Sequence, residues 1–368
     1  MSHRDIVAIV IDQLGHKHVD QLKEIQNQGF IPLVFVDRLD PSESALKAAD
    51  LPQVRLRHMT LLTMPYLVCS FLRASRRIHH LEFYTAKVSG YWIFAAALLR
   101  RIPVVTVERG LICWYSTLSL IKRRVLRLTY RLSSVVCYRE PHMLDDIGHL
   151  APSQTRVFCP NTVPVQDLGE LPRPRELDFM WANRLLPERH VDWFLAGLVH
   201  VNKSHLSSVL YGVRPGIDSS SLLQEISQAQ IDVHPSSLVV HDWRDPRSAM
   251  SNSRFFVMFG RCVFGNYGLL EAMARGAVPI VSASQDTALL IEDGVNGIVA
   301  EYSMSGSIEA MSRAARMSFD EWKVMSVSAS LTVATRFSTA RLQTDLAALY
   351  LGLAKLDRRP GTRAPESA

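Results

Sequence analysis

The sequence is poor in cysteine and has no hydrophobic run long enough to cross a membrane. Its five cysteines are scattered, and none stands in a CxxC pair. This usage is typical of reduced thiols in a cytosolic protein and disfavours a disulfide framework or a zinc ribbon. The longest apolar run, from Leu61 to Leu72, contains Pro65 and is too short for a bilayer. No signal-peptide pattern is visible, so we expect a cytoplasmic protein, either free or peripheral on the inner face of the plasma membrane.

Several motifs of metal and nucleotide enzymes are also absent. The 13 histidines include no HExxH motif and no cluster with cysteine at ligand spacing. The sequence therefore predicts no obligatory metal and no other cofactor. The glycines of GRCVFGNYG (260–268) are not followed by the Lys-Ser or Lys-Thr of a Walker loop, and residues 10–16 lack the GxGxxG of a nicotinamide site. No aromatic and basic module indicates binding to nucleic acid.

The composition is that of a globular protein with about two domains. The chain has 368 residues, of which 48% are hydrophobic and 21% are charged, enough for sizeable cores. The net charge of +6 favours an anionic partner, whether nucleic acid, an acidic membrane surface or a phosphorylated substrate.

Short apolar runs alternate with helical patterns along the whole chain, which is typical of β–α units and a parallel sheet. The first-half strand candidates are IVAIVI (6–11), PLVFV (32–36), HLEFYTA (80–86), PVVTV (103–107) and SSVVCY (133–138). A second series begins at DFMWA (178–182). We predict a Rossmann-like domain at 1–165, a proline-rich linker at 166–177, a second Rossmann-like domain at 178–335, a helix at 336–356 and a disordered tail at 357–368.

The stretch GNYGLLEAMARGAVPIV (265–281) predicts a glycine-bearing loop, a short helix and a strand. A loop of this kind lies beyond the carboxyl end of a parallel strand, where α/β proteins bind ligands. A helix that begins near Gly268 would offer N–H groups to a phosphate. Glu271, about one turn later, could accept hydrogen bonds from two sugar hydroxyls. Alternatively, Glu271 is an acid that the helix dipole favours, without a ligand.

Four segments resemble those of GT-B glycosyltransferases, in particular retaining glycosyltransferase family 4 (glycosyl transferases group 1). They are PNTVP (160–164), ANRLLPERHVDWFLAGL (182–198), GLLEAMARGAVPI (268–280) and IEDGVNGIVA (291–300). The resemblance covers most of residues 178–300, whereas the first half matches in style alone. It implies the GT-B fold, in which two Rossmann-like domains with parallel sheets face a cleft. It also implies that the C-terminal helix packs on the first domain.

The resemblance also implies roles for single residues. Arg184 and Arg189 would neutralise the donor diphosphate, and Glu271 would hold the ribose hydroxyls; we count these three as catalytic. Two cations can stabilise a departing nucleoside diphosphate without a metal. Either arginine could instead be a solvated cation at the start of a helix.

Other residues would contact the substrate. The backbone at Asn266, Tyr267 and Gly268 would touch phosphate. Trp243 falls near the region that holds the base, where it could stack on the base or pack in the core.

The sequence departs from the family pattern at several positions. Val263 replaces the first acid of the donor segment, and Leu289 stands near the place of the acid that precedes the DG turn. The strand PVVTV ends in Glu108 and Arg109, where a His-Gly pair often lies beside the transferred sugar. These two residues either contact an unusual sugar or pair with each other.

Residues 117–132 predict an amphipathic helix with an apolar stripe and a basic face. Its basic residues are Lys122, Arg123, Arg124, Arg127 and Arg131. Such a helix can lie on an anionic membrane, which would suit a lipid-linked acceptor. Alternatively, the apolar stripe faces the core and the basic face is solvated.

We therefore predict a glycosyltransferase of the hexosyltransferase type that moves a sugar from a nucleotide-diphosphate sugar to a hydroxyl of a glycan or lipid-linked acceptor. The resemblance implies retention of configuration, independence of metal, and a role in the synthesis of cell-surface polysaccharide or lipid-linked glycan. A catalytically inactive nucleotide-sugar-binding protein or scaffold, suggested by Val263, and another GT-B enzyme such as an epimerase or phosphorylase remain as alternatives.

Overall fold

The chain divides into two compact units in the computed structural model. The first comprises Met1–Pro160 and Leu342–Ala368, and the second comprises Asn161–Arg341. The structure describes residues 5–14, 18–39, 51, 54–60, 62–84, 88–165, 174–184, 187–201, 206–213, 238–241, 246–261 and 263–357. The segment predicted as a linker is described only in part, and the tail from 358 lies outside the described residues.

Within the described residues, the first unit has seven parallel strands in the order β3-β2-β1-β4-β5-β6-β7. The strands are β1 (Ile6–Leu14), β2 (Ile31–Leu39), β3 (Arg55–His58), β4 (Ile78–Phe83), β5 (Val104–Val107), β6 (Val135–Tyr138) and β7 (Thr155–Phe158). The helices are α1 (Val19–Asn27), α2 (Met64–Ala74), α3 (Val88–Leu99), α4 (Leu120–Leu132) and α5 (Met143–Leu150).

Both faces of β1 are buried, which explains its continuous apolar run. Ile6 and Ala8 enter one apolar cluster, whereas Val7 and Ile9 enter another. Successive residues of a strand point to opposite faces, so a strand covered on both sides favours apolar residues at successive positions. The edge strand β3 has the sequence RLRH and is largely exposed, and for this reason no apolar run predicts it.

The second unit has six parallel strands in its described part, in the order β10-β9-β8-β11-β12-β13. The strands are β8 (Leu177–Arg184), β9 (Ser208–Val213), β10 (Leu238–His241), β11 (Ser253–Met258), β12 (Val278–Ser282) and β13 (Ile298–Ala300). The helices are α6 (Val191–Val201), α7 (Arg247–Asn252), α8 (Tyr267–Ala274), α9 (Met304–Ala315) and α10 (Phe319–Arg336). The α/β class with two parallel sheets, predicted from the alternation of strands and helices, is confirmed.

The first unit ends earlier than the predicted boundary at residue 165. Asn161 donates a hydrogen bond to the carbonyl oxygen of Gly265 at 2.7 Å. Val163 forms a parallel bridge with Ser338, and its N–H donates to the carbonyl of Phe337 at 2.8 Å. These bonds place the segment after Pro160 in the second unit.

The C-terminal helix α11 (Thr339–Asp357) belongs largely to the first unit. Its buried Leu346, Leu349 and Leu353 join the apolar cluster on one face of the first sheet. Tyr350 is buried among them, and its hydroxyl donates to the Glu82 Oε1 atom at 2.7 Å. None of the helices in the described part of the chain combines the length and apolar character needed to cross a membrane.

Replacing Tyr350 with Phe should lower the free energy of unfolding by about 1–3 kcal/mol, because the buried Glu82 carboxylate loses a donor. Burial raises the pKa of Tyr350, so the phenol remains a donor in the neutral range. Urea unfolding followed by circular dichroism measures the change. The control is Leu351→Ala, since Leu351 is 66% exposed and should change stability by less than about 0.5 kcal/mol. Equal stability of Tyr350→Phe and the control would contradict the role of this bond.

Candidate functional site

The loops that follow β8, β11 and β12 adjoin at one edge of the second sheet. β11 pairs in parallel with β8 on one side and with β12 on the other, so their carboxyl ends point the same way. The strand order reverses between β8 and β11. Ligands of open α/β sheets bind at such a reversal, beyond the carboxyl ends of the strands.

Helix α8 begins at this edge with a capped N-terminus. The Asn266 Oδ1 atom accepts a hydrogen bond from the Leu269 N–H at 3.2 Å. Gly265, just before the cap, has a φ of +66°, a left-handed conformation that glycine adopts at little cost. The turn is held from outside the helix by Asn161, which bonds to the Gly265 carbonyl. The chain is thus held where the first N–H groups of the helix and its positive dipole end face the edge of the sheet.

The glycine loop after β11 lies against Arg189. A Cβ atom added to Gly260 would stand 3.1 Å from the Glu188 carbonyl oxygen and 3.7 Å from the Arg189 Nη1 atom. The hydroxyl of Ser282, at the end of β12, accepts from the Gly260 N–H at 2.9 Å and donates to its carbonyl at 2.8 Å. Sequence reasoning missed Ser282, because a serine at the end of an apolar strand carries no signal of its own.

A sharp turn follows Arg189. His190 has a φ of +48°, which costs a residue other than glycine about 1–3 kcal/mol. Its ring stacks on Trp193, with centroids 3.9 Å apart, and its Nε2 atom is 2.7 Å from the Tyr302 hydroxyl oxygen. These contacts hold the strained turn that links Arg189 to α6. The sequence pattern does not single out His190, Trp193 or Tyr302.

Glu271 lies about one turn into α8 and is half-buried, between the buried Leu270 and Ala272. Asn266, Tyr267, Gly268 and Glu271 therefore share one helix start, as predicted from the spacing. The structure brings the loop of Gly260 beside Arg189 and ends β8 at Arg184. The side chain of Arg184 and all of Trp243 lie outside the described residues.

Val263 and Leu289, which stand where the family pattern has acids, lie in different environments. Val263 is fully buried and belongs to an apolar cluster with Leu269 and Leu270. A carboxylate in that environment would need a partner. Leu289 is 51% exposed at the end of a 3₁₀ turn, Thr287–Leu289.

In the first unit, Glu108 and Arg109 face different partners. Glu108 is buried, and its Oε1 atom accepts from the N–H groups of Gly110 at 2.6 Å, Leu111, and Ile112 at 3.3 Å. Its Oε2 atom accepts from the Tyr130 hydroxyl. The protein's own donors therefore occupy the carboxylate of Glu108, and its contact with a sugar stays a prediction. These bonds hold the loop after β5.

Cys113, Glu140 and His142 form the one trio in the described part of the chain that could hold a metal ion. Their ligand atoms all lie within 4.8 Å of one another. The Cys113 Sγ atom is 3.2 Å from the His142 Nε2 atom. Sulfur, nitrogen and carboxylate oxygen are ligands that zinc accepts. Spacing did not reveal this trio because its members come from two separate loops of the first unit.

Residues 176–316 match the family described as glycosyl transferases group 1. This segment is a group 1 glycosyltransferase domain. The group 1 domain includes Arg184, Arg189, Asn266 and Glu271, the residues on which the predicted donor site depends. No curated protein sequence matches the chain significantly.

Solved structures share the fold over nearly the whole chain. HepE from Anabaena, in complex with UDP and glucose, has a TM-score of 0.74 at 12% identity, covering 94% of this chain and 99% of that one. Sucrose-phosphate synthase from Thermosynechococcus elongatus has a TM-score of 0.76 at 14% identity, covering 96% and 100%. The lipopolysaccharide outer core galactosyltransferase WaaB has a TM-score of 0.66 at 13% identity, covering 94% and 99%. The predicted GT-B fold is confirmed, and together with the group 1 domain it makes the enzyme class that of a glycosyltransferase.

Replacing Asn266 with Ala should destabilise the second unit by about 1 kcal/mol, because the Leu269 N–H loses its cap. Asn266→Asp keeps an acceptor oxygen and should retain most of the stability, which makes it the matched control. Thermal unfolding of both variants measures the difference. An Ala variant as stable as the wild type would show that the cap does not hold the start of α8.

Proposed function

We propose that this chain transfers a sugar from a nucleotide-diphosphate sugar to an acceptor hydroxyl, with retention of configuration and without a metal, as an enzyme of glycosyltransferase family 4. The observation that carries the proposal is the capped start of α8 at the strand reversal of the group 1 domain, with Glu271 one turn in and the loop of Gly260 against Arg189. The HepE structures contain UDP and UDP-glucose, which supports a nucleotide sugar as donor.

The chemistry assigned to these groups follows from the charge that develops on the donor. As the sugar bond breaks, the diphosphate gains negative charge. The N–H groups and dipole at the start of α8, together with Arg189 and Arg184, would stabilise that charge. The carboxylate of Glu271 would accept hydrogen bonds from the ribose and orient the donor. Two arginines can supply the positive charge that a divalent cation supplies elsewhere, which is the basis for proposing transfer without a metal.

A nucleotide-sugar-binding protein without turnover is the second candidate. The observation that favours it is Val263, which is buried in the core at the position of an acid of the family pattern. This candidate binds the same donor but neither transfers nor hydrolyses the sugar. Arg184, Arg189 and Glu271 are all present, which favours the active enzyme.

Glu271→Ala and Arg189→Ala should each weaken binding of the preferred nucleoside diphosphate at least tenfold, or by about 1.4 kcal/mol. The measurement is a thermal-shift screen of UDP, GDP, ADP, CMP and dTDP and their sugars, with and without EDTA, followed by calorimetric titration. A ligand at about 100 times its Kd should stabilise the wild type by about 2.7 kcal/mol. The control is Glu309→Ala, since Glu309 is an exposed acid of the same unit.

Three outcomes separate the candidates. A shift that survives EDTA, is lost in both site variants and comes with sugar transfer supports the metal-free enzyme. The same shift without transfer or hydrolysis supports the binding protein. Unchanged affinity in both variants removes Glu271 and Arg189 from the donor site.

We also propose that α4 binds the surface of an anionic membrane and thereby brings the enzyme to a lipid-linked acceptor on the inner face of the plasma membrane. The buried face of α4 carries Leu126 and Tyr130, and a second apolar stripe is exposed. The exposed stripe consists of Ile121 at 75%, Val125 at 38%, Leu128 at 55% and Leu132 at 43% exposure. The alternative in which the apolar stripe faces the core therefore accounts for only one of the two stripes.

The charge beside this exposed stripe favours an anionic bilayer as the partner. Arg124, Arg127 and Arg131 are exposed on the same helix. The sequence contains no acid between Arg109 and Arg139. Each such arginine near an anionic surface contributes about 1 kcal/mol, and the apolar stripe adds burial in the interface. WaaB, named for lipopolysaccharide outer core synthesis, shares the fold, which supports a lipid-linked acceptor.

Leu128→Asp and the double variant Arg124→Ala/Arg127→Ala should each reduce binding to phosphatidylglycerol vesicles at least tenfold. Co-sedimentation of the full chain with vesicles, at low and high salt, measures the partition. The control is Val324→Asp, since Val324 is 71% exposed in the second unit. Equal sedimentation of Leu128→Asp and the control, or no preference for anionic over neutral vesicles, would refute the membrane surface.

A further inference from the structure

The carboxyl edge of the first sheet gathers cationic side chains at its strand reversal. β1 lies between β2 and β4, and the order continues through β5 and β6. Tyr84 follows β4, Arg109 follows β5, Arg139 follows β6, and His18 precedes α1. All these strands are parallel, so the residues that follow them meet at one edge, where α/β sheets bind ligands.

Arg109 is held at this edge by two aromatic rings. Its guanidinium carbon lies 4.3 Å from the centroid of the Tyr84 ring. Its Nη2 atom donates to the Nε2 atom of His18, which is itself buried. Tyr84 is buried as well. The rings orient the guanidinium without neutralising its charge, because neither carries a negative charge.

The charge of Arg109 has no acidic counterpart in direct contact within the part of the chain that the structure describes. Glu108, the adjacent residue, gives its carboxylate to the loop N–H groups and to Tyr130. The Arg109 Nε atom is buried and has no hydrogen-bond partner among the described residues. Arg109 as a whole is half-buried, and a cation that is partly removed from water without an ion-pair partner is destabilising.

The electrostatic environment at this edge also disfavours the charged form of Arg109. Burial and the charge of Arg139 lower the pKa of Arg109 to about 9, against smaller opposing effects of Tyr84 and Glu82. The cationic form of Arg109 is thus held in an environment that disfavours it. Strongly perturbed groups of this kind cluster at functional sites.

The backbone beside Arg109 is also fixed in advance. Gly110 has a φ of +109°, in the left-handed region that favours glycine. The Glu108 carboxylate accepts from three successive N–H groups of this turn. A guanidinium on a fixed backbone loses little entropy when it binds, which is how binding groups are kept ready for a ligand.

We propose that Arg109, oriented by Tyr84 and His18 and assisted by the charge of Arg139, binds an oxyanion carried by the substrate of the first unit. The oxyanion is a carboxylate of a sugar acid or a phosphate of the acceptor, since both match the two-pronged geometry of a guanidinium. The assignment of that oxyanion to a glycosyltransferase substrate rests on the proposed function, whereas the site itself rests on the geometry of the first unit.

Titration of the full chain with inorganic phosphate and with glucuronate tests the site. Phosphate could also enter the donor site, so each titration is made in the Arg189→Ala background. Arg109→Gln should weaken oxyanion binding at least tenfold, and Arg109→Lys should retain part of it because the charge remains. The control is Arg57→Gln, an exposed arginine of the edge strand β3, which should bind as the parent does.

The melting temperature without ligand separates a binding role from a structural one. If Arg109 is kept for a ligand, Arg109→Gln removes a half-buried cation that has no ion-pair partner among the described residues, and the melting temperature should stay level or rise. A structural role requires it to fall. A fall together with unchanged oxyanion binding overturns the proposal.

The two probes identify the source of the oxyanion. Arg109-dependent binding of phosphate alone supports an acceptor phosphate, and binding of glucuronate supports a sugar acid. Binding of neither, or equal binding by Arg109→Gln, refutes the site. Nucleotide affinity is measured separately, so the test of oxyanion binding at Arg109 stays valid even if the donor-site assignment fails.

Discussion

Parallel strand pairing is the constraint on which both units depend. It requires crossover helices, so the inner strands are covered on both faces and are mostly apolar. It also brings the carboxyl ends of all strands to one edge of each sheet, whatever their distance in sequence. Loops that are distant in sequence therefore adjoin, although no local sequence pattern predicts their contact. They follow β8, β11 and β12 in the second unit, and β4, β5 and β6 in the first.

At the edge of the second sheet, the proposed donor site depends on a backbone that is held in place as well as on its charged side chains. Gly260 and Gly265 allow the loop to approach Arg189 and to enter the cap of α8. Ser282 and Asn161 hold that loop from neighbouring segments. A phosphate site built from N–H groups needs this support, because a backbone that must rearrange on binding loses affinity.

At the edge of the first sheet, the proposed binding group is a charged side chain, Arg109. The carboxylate of Glu108 accepts hydrogen bonds from the turn that follows Arg109. The guanidinium of Arg109 therefore contacts aromatic rings and not this acid. The exposed face of α4 adds arginines to a second apolar stripe. Arg109 and the arginines of α4 are thus the positive charges that the proposed anionic substrate and membrane surface would meet.

The sequence alone determined the α/β class, the start of α8 and the family resemblance, because each depends on residues close together in the chain. The apolar run of β1 and the spacing from Asn266 to Glu271 are local patterns with one good structural solution. The side-chain partners of Glu108 and Arg109, the trio of Cys113, Glu140 and His142, and the exposure of the α4 stripe were decided by tertiary structure. Each depends on which loops and faces the sheet order brings together, and no spacing within a single segment carries that information.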